Sequence, residues 1–291
     1  MSHDRWAEWL AERRFGGDPA WRTRTLEKLV PVRDRVLDNA NLAEGDVVLD
    51  IGAGDGLIGF GALERVGERG QVVFSDISED LLATCRELAA ALDVADHCSF
   101  VEASAGDLAA IESESVDVVT TRSVLIYLAD KLSALKEFGR VLRPGGRISL
   151  FEPINKFDCP ERPDRFWGYD VSPVQGIADK LLEGYRKLDA GAGTLIDFDE
   201  RDLLAWTEEA GFAEIHMDYS AEISPSPMLA GMSWDAFLSF SGNPLEPTVE
   251  EAAREALTEE ERERLYEHLR PLVEKSEGRT RLAKVYLWAI R

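Results

Sequence analysis

The sequence has little cysteine and no long apolar run. Its 291 residues include three cysteines, Cys85, Cys98 and Cys159, which lie far apart and form no C-x-x-C pair. Neither a zinc site nor a disulfide framework is therefore predicted. No stretch of eighteen apolar residues occurs, and the N-terminus MSHDRWAEWLAERR lacks the apolar core of a signal peptide. We therefore expect a soluble cytoplasmic protein.

Basic residues are scarce relative to acidic ones. There are 33 Lys and Arg against 55 Asp and Glu, which gives a formal net charge of -22. A field of this sign repels phosphate, so we expect neither nucleic acid nor an anionic membrane as a partner. The length suits one large α/β domain with insertions, or a core with a cap.

What the sequence does have is a glycine-rich turn behind a short apolar strand. Residues 47–50 predict a buried strand, and Leu57 to Val66 can form a helix. Between them, glycines at 52, 54 and 56 remove side chains where the backbone must turn sharply and approach a ligand. In parallel sheets, ligands bind at the carboxyl ends of strands beside such turns. The segment therefore predicts a nucleoside-ligand site.

The glycine spacing and the local charge narrow the choice of nucleoside. The spacing is G-x-G-x-G, not the G-x-G-x-x-G of dinucleotide sites. Asp50 and Asp55 flank the turn and would repel a diphosphate, which disfavours a nicotinamide-dependent oxidoreductase. A ligand with a cationic centre and an ammonium group fits better. The segment VLDIGAGDG resembles the first motif of the class I S-adenosylmethionine-dependent methyltransferases.

An acid closes the second predicted strand, Val72 to Phe74, which runs into Ser75 and Asp76. A carboxylate at this position is expected to accept hydrogen bonds from the ribose hydroxyls of the nucleoside. The alternative is that Asp76 caps the following helix, but Ser78 fits that cap better.

The resemblance extends to further motifs and implies further cofactor contacts. Residues 100–105 resemble the third motif, with Ala103 and Ser104 where Gly and Asp are common, and Ser104 and the N–H of Ala105 are expected near adenine. Residues 121–128 resemble the fourth motif, which implies that Arg122 pairs with the methionine carboxylate. The run LRPGGRI before a strand is also common in the family. The expected cofactor-binding set is Asp50, Gly52, Ala53, Gly54, Gly56, Asp76, Ile77, Ser104, Ala105, Arg122 and Ser123.

Two residues are candidates for the chemistry, Tyr127 and Glu152. Each is expected to act as a base or as an orienting group near the methyl group, with no metal ion. For Arg122 and Tyr127 an ordinary packing or surface role stays open.

The resemblance also implies the fold. We expect a doubly wound, mostly parallel seven-stranded sheet with helices on both faces and an antiparallel last strand between the fifth and sixth. The predicted segments are an N-terminal helical segment (1–40), a Rossmann-like cofactor-binding core (41–152), an insertion or lid (153–200) and the C-terminal part of the sheet (201–291), with a helical insertion at 224–280.

The acceptor is the least constrained part of the prediction. Residues 153–176 are rich in proline and carry an aromatic cluster, which consists of Phe157, Phe166, Trp167 and Tyr169. We expect these rings to line an acceptor site or, alternatively, to fill a subsidiary core.

The predicted function is transfer of a methyl group from S-adenosylmethionine to a small-molecule acceptor that is partly apolar or aromatic, with S-adenosylhomocysteine as product. The alternatives are a module that binds the cofactor without catalysis and, less favoured, a nicotinamide-dependent oxidoreductase. An arsenite methyltransferase is a further rival, but that chemistry uses a cluster of cysteines.

Overall fold

The computed structural model describes residues 4–188 and 192–291. The strands are β1 Val47–Ile51, β2 Gln71–Asp76, β3 Cys98–Glu102, β4 Val116–Arg122, β5 Leu142–Pro153, β6 Arg165–Phe166, β7 Tyr169–Asp170, β8 Ala213–Ser224 and β9 Thr280–Ile290. The helices are α1 Arg5–Ala11, α2 Pro19–Asn39, α3 Leu57–Val66, α4 Glu79–Ala91, α5 Lys131–Val141, α6 Gln175–Leu188, α7 Glu200–Glu209, α8 Trp234–Ser239, α9 Val249–Ala256 and α10 Glu259–Lys275.

Seven strands form one sheet in the order β3-β2-β1-β4-β5-β9-β8. The pairs among β1 to β5 are parallel, and β9 runs antiparallel to β5. Because β9 lies between β5 and β8, the last strand in sequence separates the fifth from the next strand of the sheet. The predicted doubly wound sheet with its inserted antiparallel strand is confirmed.

The chain divides into two compact units. The unit that we call the sheet unit comprises Glu27–Ile154, Phe198–Ser220 and Lys284–Arg291. The helical unit comprises Met1–Leu26, Asn155–Asp197 and Ala221–Ala283. These units cut across the four predicted segments, and that division stays a prediction.

The sheet unit is built around buried strands whose apolar side chains meet the helices on the sheet. The C-terminal part of α2 packs with α3 and α4 against β1 and β2 through a cluster that includes Leu37, Val48, Ala62, Phe74 and Leu82. Helix α5 packs against β5 and α7. Helix α2 continues through Pro31.

The helical unit has a hydrophobic core of its own. Members of this core are Phe166, Tyr169, Ile177, Leu181, Phe237, Val249, Leu265, Leu269 and Val273. Tyr169 is 0% exposed and Phe166 is 3% exposed. For these two rings the structure therefore agrees with the alternative, a subsidiary core, because both rings pack inside their own unit.

Local sequence signals define several helix ends. The Ser78 hydroxyl caps α4 by accepting the Leu81 N–H at 3.1 Å. Capping boxes that begin at Thr248 and Thr258 start α9 and α10. Within residues 4–188 and 192–291, no helix is long and apolar enough to span a membrane.

Candidate active site

The glycine-rich turn joins β1 to α3 with three residues at positive φ. The φ angles of Gly52, Gly54 and Gly56 are 65°, 57° and 81°. A Cβ atom at position 52 would lie 2.3 Å from Cγ2 of Val124, and one at position 56 would lie 2.4 Å from the Phe60 ring. Glycine at these two positions is therefore required by the backbone conformation and by packing inside the protein, and not only by close approach to a ligand.

Asp50 is committed to the interior of the sheet unit. Its side chain is 2% exposed, and its carboxylate accepts the Gly59 N–H at 2.9 Å and the Thr120 hydroxyl at 3.0 Å. Burial raises the pKa of Asp50 to about 7, although these hydrogen bonds act in the opposite direction. Asp50 therefore ties the first turn of α3 to β1 and β4.

Asp76 lies at the carboxyl end of β2 and holds the glycine-rich turn. Oδ2 accepts the Gly54 N–H at 2.9 Å, and Oδ1 accepts the Ser78 N–H at 3.0 Å. Asp76 is 7% exposed, and the next residue, Ile77, is 50% exposed. A carboxylate offers about four acceptor positions. At this edge of the sheet, a carboxylate that can accept hydrogen bonds from hydroxyl groups thus lies next to the apolar side chain of Ile77.

The segment after β3 supplies the adjoining wall. The Ala103 N–H donates to the Asp76 carbonyl at 3.0 Å, and the exposed Ser104 accepts the Gly106 N–H on its hydroxyl at 3.3 Å. Ala105 is buried. Arg140 of α5 fixes the following loop by donating to the carbonyls of Leu108 at 2.8 Å and Ile111 at 3.0 Å.

The segment after β4 passes beside the glycine turn. Arg122 and Ser123 are half-buried, and Ser123 has φ 57°, an unusual value for a residue other than glycine. Tyr127 is half-buried at the end of a short 3₁₀ turn, Leu125–Tyr127. Glu152 of β5 is 0% exposed, and its carboxylate accepts backbone N–H groups from this segment.

The structure brings every expected site residue into the sheet unit, at the carboxyl ends of β1 to β5. Strand register explains this grouping, because Ile51 is aligned with Ser75 on β2 and with Thr121 on β4. The aromatic cluster of residues 157, 166, 167 and 169 belongs to the helical unit instead. Within that unit Phe166 and Tyr169 pack edge-on against Phe237, and Trp167 packs edge-on against Phe240.

Sequence reasoning missed Thr120, Val124 and Cys85 as supports of this site. Thr120 meets Asp50 through parallel register, and Val124 fills the space beside Gly52. The Cys85 thiol donates to the Gly54 carbonyl at 3.4 Å. Local sequence carries a signal only for Cys85, whose helical spacing in α4 predicts an inward direction.

Metal or thiol chemistry finds no donor set in the parts of the chain that the structure describes. Those parts contain no group of three or more His, Cys, Asp or Glu side chains that could hold a metal ion. The three cysteines are free, and burial raises the pKa of Cys85 to about 12.

Comparison with known proteins gives the family. The model of the family described as "Methyltransferase domain" matches residues 42–162. The chain is 33% identical over 184 residues to a ubiquinone/menaquinone biosynthesis C-methyltransferase of Haemophilus ducreyi, covering 62% of this chain and 69% of that protein. It is 31% identical over 218 residues to a demethylmenaquinone methyltransferase of Clavibacter sepedonicus, covering 72% and 78%.

Solved structures share the fold at low sequence identity. A geranyl diphosphate methyltransferase in complex with S-adenosylmethionine has a TM-score of 0.52 and 17% identity, covering 97% of this chain and 94% of that one. The [4+2]-cyclase SpnF has a TM-score of 0.51 and 18% identity, covering 90% and 80%. The fold alone therefore does not fix the reaction.

The sequence relatives decide what the fold leaves open. The acid and apolar surface at the end of β2, together with the glycine turn, fit a nucleoside with a cationic tail. The chain belongs to the class I S-adenosylmethionine-dependent methyltransferases, and S-adenosylmethionine is its cofactor.

Proposed function

We propose that the protein methylates a small-molecule acceptor and that its cofactor lies on the carboxyl edge of the sheet unit. The observation that carries the proposal is the position of the Asp76 carboxylate. Its carboxylate stands at the end of β2, bonded to the N–H groups of Gly54 and Ser78, so it is held rigidly beside the turn. A charged acceptor held this way can bind the two ribose hydroxyls with strong hydrogen bonds.

The remaining contacts follow the order of the strands. Ile77, Ser104 and Ala105 form the adenine side, where the exposed face of Ile77 offers an apolar surface. The backbone of Gly52, Ala53, Gly54 and Gly56 lies under the methionine side, and Arg122 and Ser123 flank it. Arg122 supplies the positive charge for a carboxylate, and the acid Asp55 favours a cationic ligand.

The reaction itself asks little of the protein beyond alignment. When bound, the cofactor supplies a methyl group on positively charged sulfur, open to in-line attack by a nucleophilic acceptor atom. The residues of the segment 123–127 then orient the acceptor and exclude water, which can supply much of the rate enhancement. Tyr127 is the candidate for an orienting or proton-accepting group in this segment.

The acceptor is proposed to be small and partly apolar or aromatic. The net charge of -22 argues against polymers of phosphate. The two relatives above carry quinone-pathway names, which supports a ring-containing acceptor. Their alignments span 62% and 72% of this chain, so the acceptor is free to differ where the alignments end.

The proposal is tested in two steps. Calorimetry with S-adenosylhomocysteine on the protein and on Asp76→Ala first places the nucleoside. Transfer of label from methyl-labelled cofactor to a panel of phenols, quinols, amines and thiols then finds the acceptor. Label that appeared only in added RNA or protein would contradict the small-molecule proposal.

A further inference from the structure

A buried carboxylate organises the segment beside the expected methyl position. Glu152 is 0% exposed at the end of β5. Oε1 accepts the N–H groups of Val124 and Leu125, each at 2.9 Å, and Oε2 accepts the N–H of Ile126 at 3.4 Å. Three consecutive backbone amides of the short turn after β4 thus converge on one side chain.

The backbone before these amides is held in an uncommon conformation. Ser123 has φ 57°, and its N–H donates to the Phe151 carbonyl at 2.8 Å. A non-glycine residue keeps such a conformation only where its surroundings enforce it. Here β5 enforces it from two successive residues, through the carbonyl of Phe151 and the carboxylate of Glu152.

The held segment also shapes the glycine turn. Cγ2 of Val124 stands 2.3 Å from the position that a Cβ of Gly52 would take. Val124 therefore packs directly on the backbone of the turn that is proposed to carry the methionine part of the cofactor.

From this geometry we propose that Glu152 is a positioning residue and not the base of the reaction. Its carboxylate holds residues 123–127 in the conformation that packs Val124 on Gly52 and sets the position of Tyr127. Neither oxygen faces solvent, and both already serve backbone amides. The link to methyl transfer rests on the function proposed above, but the link to backbone order does not.

The protonation state of Glu152 decides how many of these amides its side chain can accept. Burial raises its pKa to about 7, while the N–H bonds from Leu125, Val124 and Ile126 and the charge of Arg122 lower it. The carboxylate form is the one that accepts all three amides. A neutral amide side chain can accept through one oxygen only, which makes Gln a graded probe of the same contact.

The first experiment measures amide hydrogen exchange and needs no acceptor. In Glu152→Ala we expect the amides of residues 124–126 to exchange at least tenfold faster, with β1 and α3 unchanged. In Glu152→Gln the single oxygen can still serve Val124 and Leu125, so only Ile126 should exchange faster. Unchanged exchange at Ile126 in the Gln variant would overturn the proposal even if the Ala variant failed to fold.

The second experiment separates positioning from base catalysis. We expect Glu152→Ala to lower kcat at least tenfold, with affinity for S-adenosylhomocysteine within about threefold because Asp76 and its amides are untouched. Glu152→Gln should restore most of kcat. A Gln variant as inactive as the Ala variant would instead identify Glu152 as a base.

Glu161 provides a matched control in the helical unit. Its half-buried carboxylate accepts the N–H groups of Trp167 at 2.9 Å and Gly168 at 2.7 Å, so Glu161→Gln changes a similar pair of backbone contacts elsewhere. This variant should leave exchange at residues 124–126 and kcat unchanged. Loss of kcat to the same extent in both Gln variants would make the effect one of general stability and would overturn the assignment.

Discussion

The two units use their buried functional groups in different ways. In the sheet unit, Asp50, Asp76 and Glu152 each accept backbone N–H groups from segments that follow the carboxyl ends of strands. In the helical unit, Tyr169 packs edge-on against Phe237, with ring centroids 5.6 Å apart and planes 88° apart. The carboxylates fix the backbone at the polar edge of the sheet, whereas the rings pack in the hydrophobic core of their unit.

This difference bears on where ligand chemistry can be found. A buried carboxylate that fixes a turn leaves the outer backbone and side chains of that turn available to a ligand. A ring that is fully buried among other rings has no surface left to offer. The burial of Phe166 and Tyr169 is therefore evidence that these two rings belong to the core of the helical unit.

The largest expected effect is on the aromatic side of the comparison. Tyr169→Ala should lower the free energy of unfolding by about 3–5 kcal/mol, because it removes a fully buried ring and leaves a cavity. Denaturant unfolding measures the loss. Tyr169→Phe is the control, since it keeps the ring and removes a buried hydroxyl without a hydrogen-bond partner. If Tyr169→Ala kept its stability but lost methyl transfer, the ring would belong to the acceptor site.

A smaller effect is expected at the glycine turn. Gly52→Ala should cost about 1–3 kcal/mol from the positive φ, plus the overlap with Val124. Gly145→Ala isolates the first contribution, because Gly145 has φ 77° with no atom near its Cβ position. Adding Val124→Ala to Gly52→Ala should recover stability in a double-mutant cycle. Equal losses of stability in Gly52→Ala and Gly145→Ala would show that overlap with Val124 contributes nothing.

Next comes the ligand contact itself. Asp76→Ala should weaken S-adenosylhomocysteine binding tenfold or more, since hydrogen bonds to a charged acceptor are worth about 1.5–3 kcal/mol each. Ser78→Ala is the control, because it changes a neighbouring residue and leaves the Asp76 carboxylate in place. It should cost about 1 kcal/mol of stability as a lost helix cap and leave affinity unchanged. Equal affinities for wild type and Asp76→Ala by calorimetry would show that Asp76 does not bind the ribose.

How much of this was visible in the sequence depends on the range of the interaction. The glycine turn, the helix caps at Ser78, Thr248 and Thr258, and the acid at the end of β2 are local patterns, and local patterns predict local structure. Their grouping at one edge followed from the family resemblance, which implies the strand order.

The parts that the sequence could not supply are those fixed by register or by tertiary packing. The bond between Thr120 and Asp50 depends on how β1 and β4 align. The packing of Val124 on Gly52 joins residues that are far apart in the chain. The prolines and aromatic rings at 153–176 are compatible with a lid and with a core, because composition does not show which way the rings face.

The smallest expected effect concerns pH and compares two carboxylates of the sheet unit. The pKa of buried Asp50 is raised to about 7 from an ordinary 3.8. The folded state therefore binds a proton that the unfolded state has released, so this contribution to stability is complete below about pH 4 and is lost as pH rises through 7. Asp50→Asn removes it. The stability of wild type minus that of Asp50→Asn should fall by about 1 kcal/mol from about pH 5.5 to about pH 6.5.

Asp117→Asn is the control for this pH dependence. Burial acts to raise the pKa of Asp117, but hydrogen bonds from Arg143 and the Val47 N–H outweigh burial and hold it below its ordinary value. Asp117 is thus ionised in both states across the same pH range, and its difference curve should be flat. A flat curve for Asp50→Asn as well would mean that Asp50 ionises normally. Its bonds to Gly59 and Thr120 would then compensate fully for burial, and the contrast between a carboxylate held inside the fold and one paired at the surface would disappear.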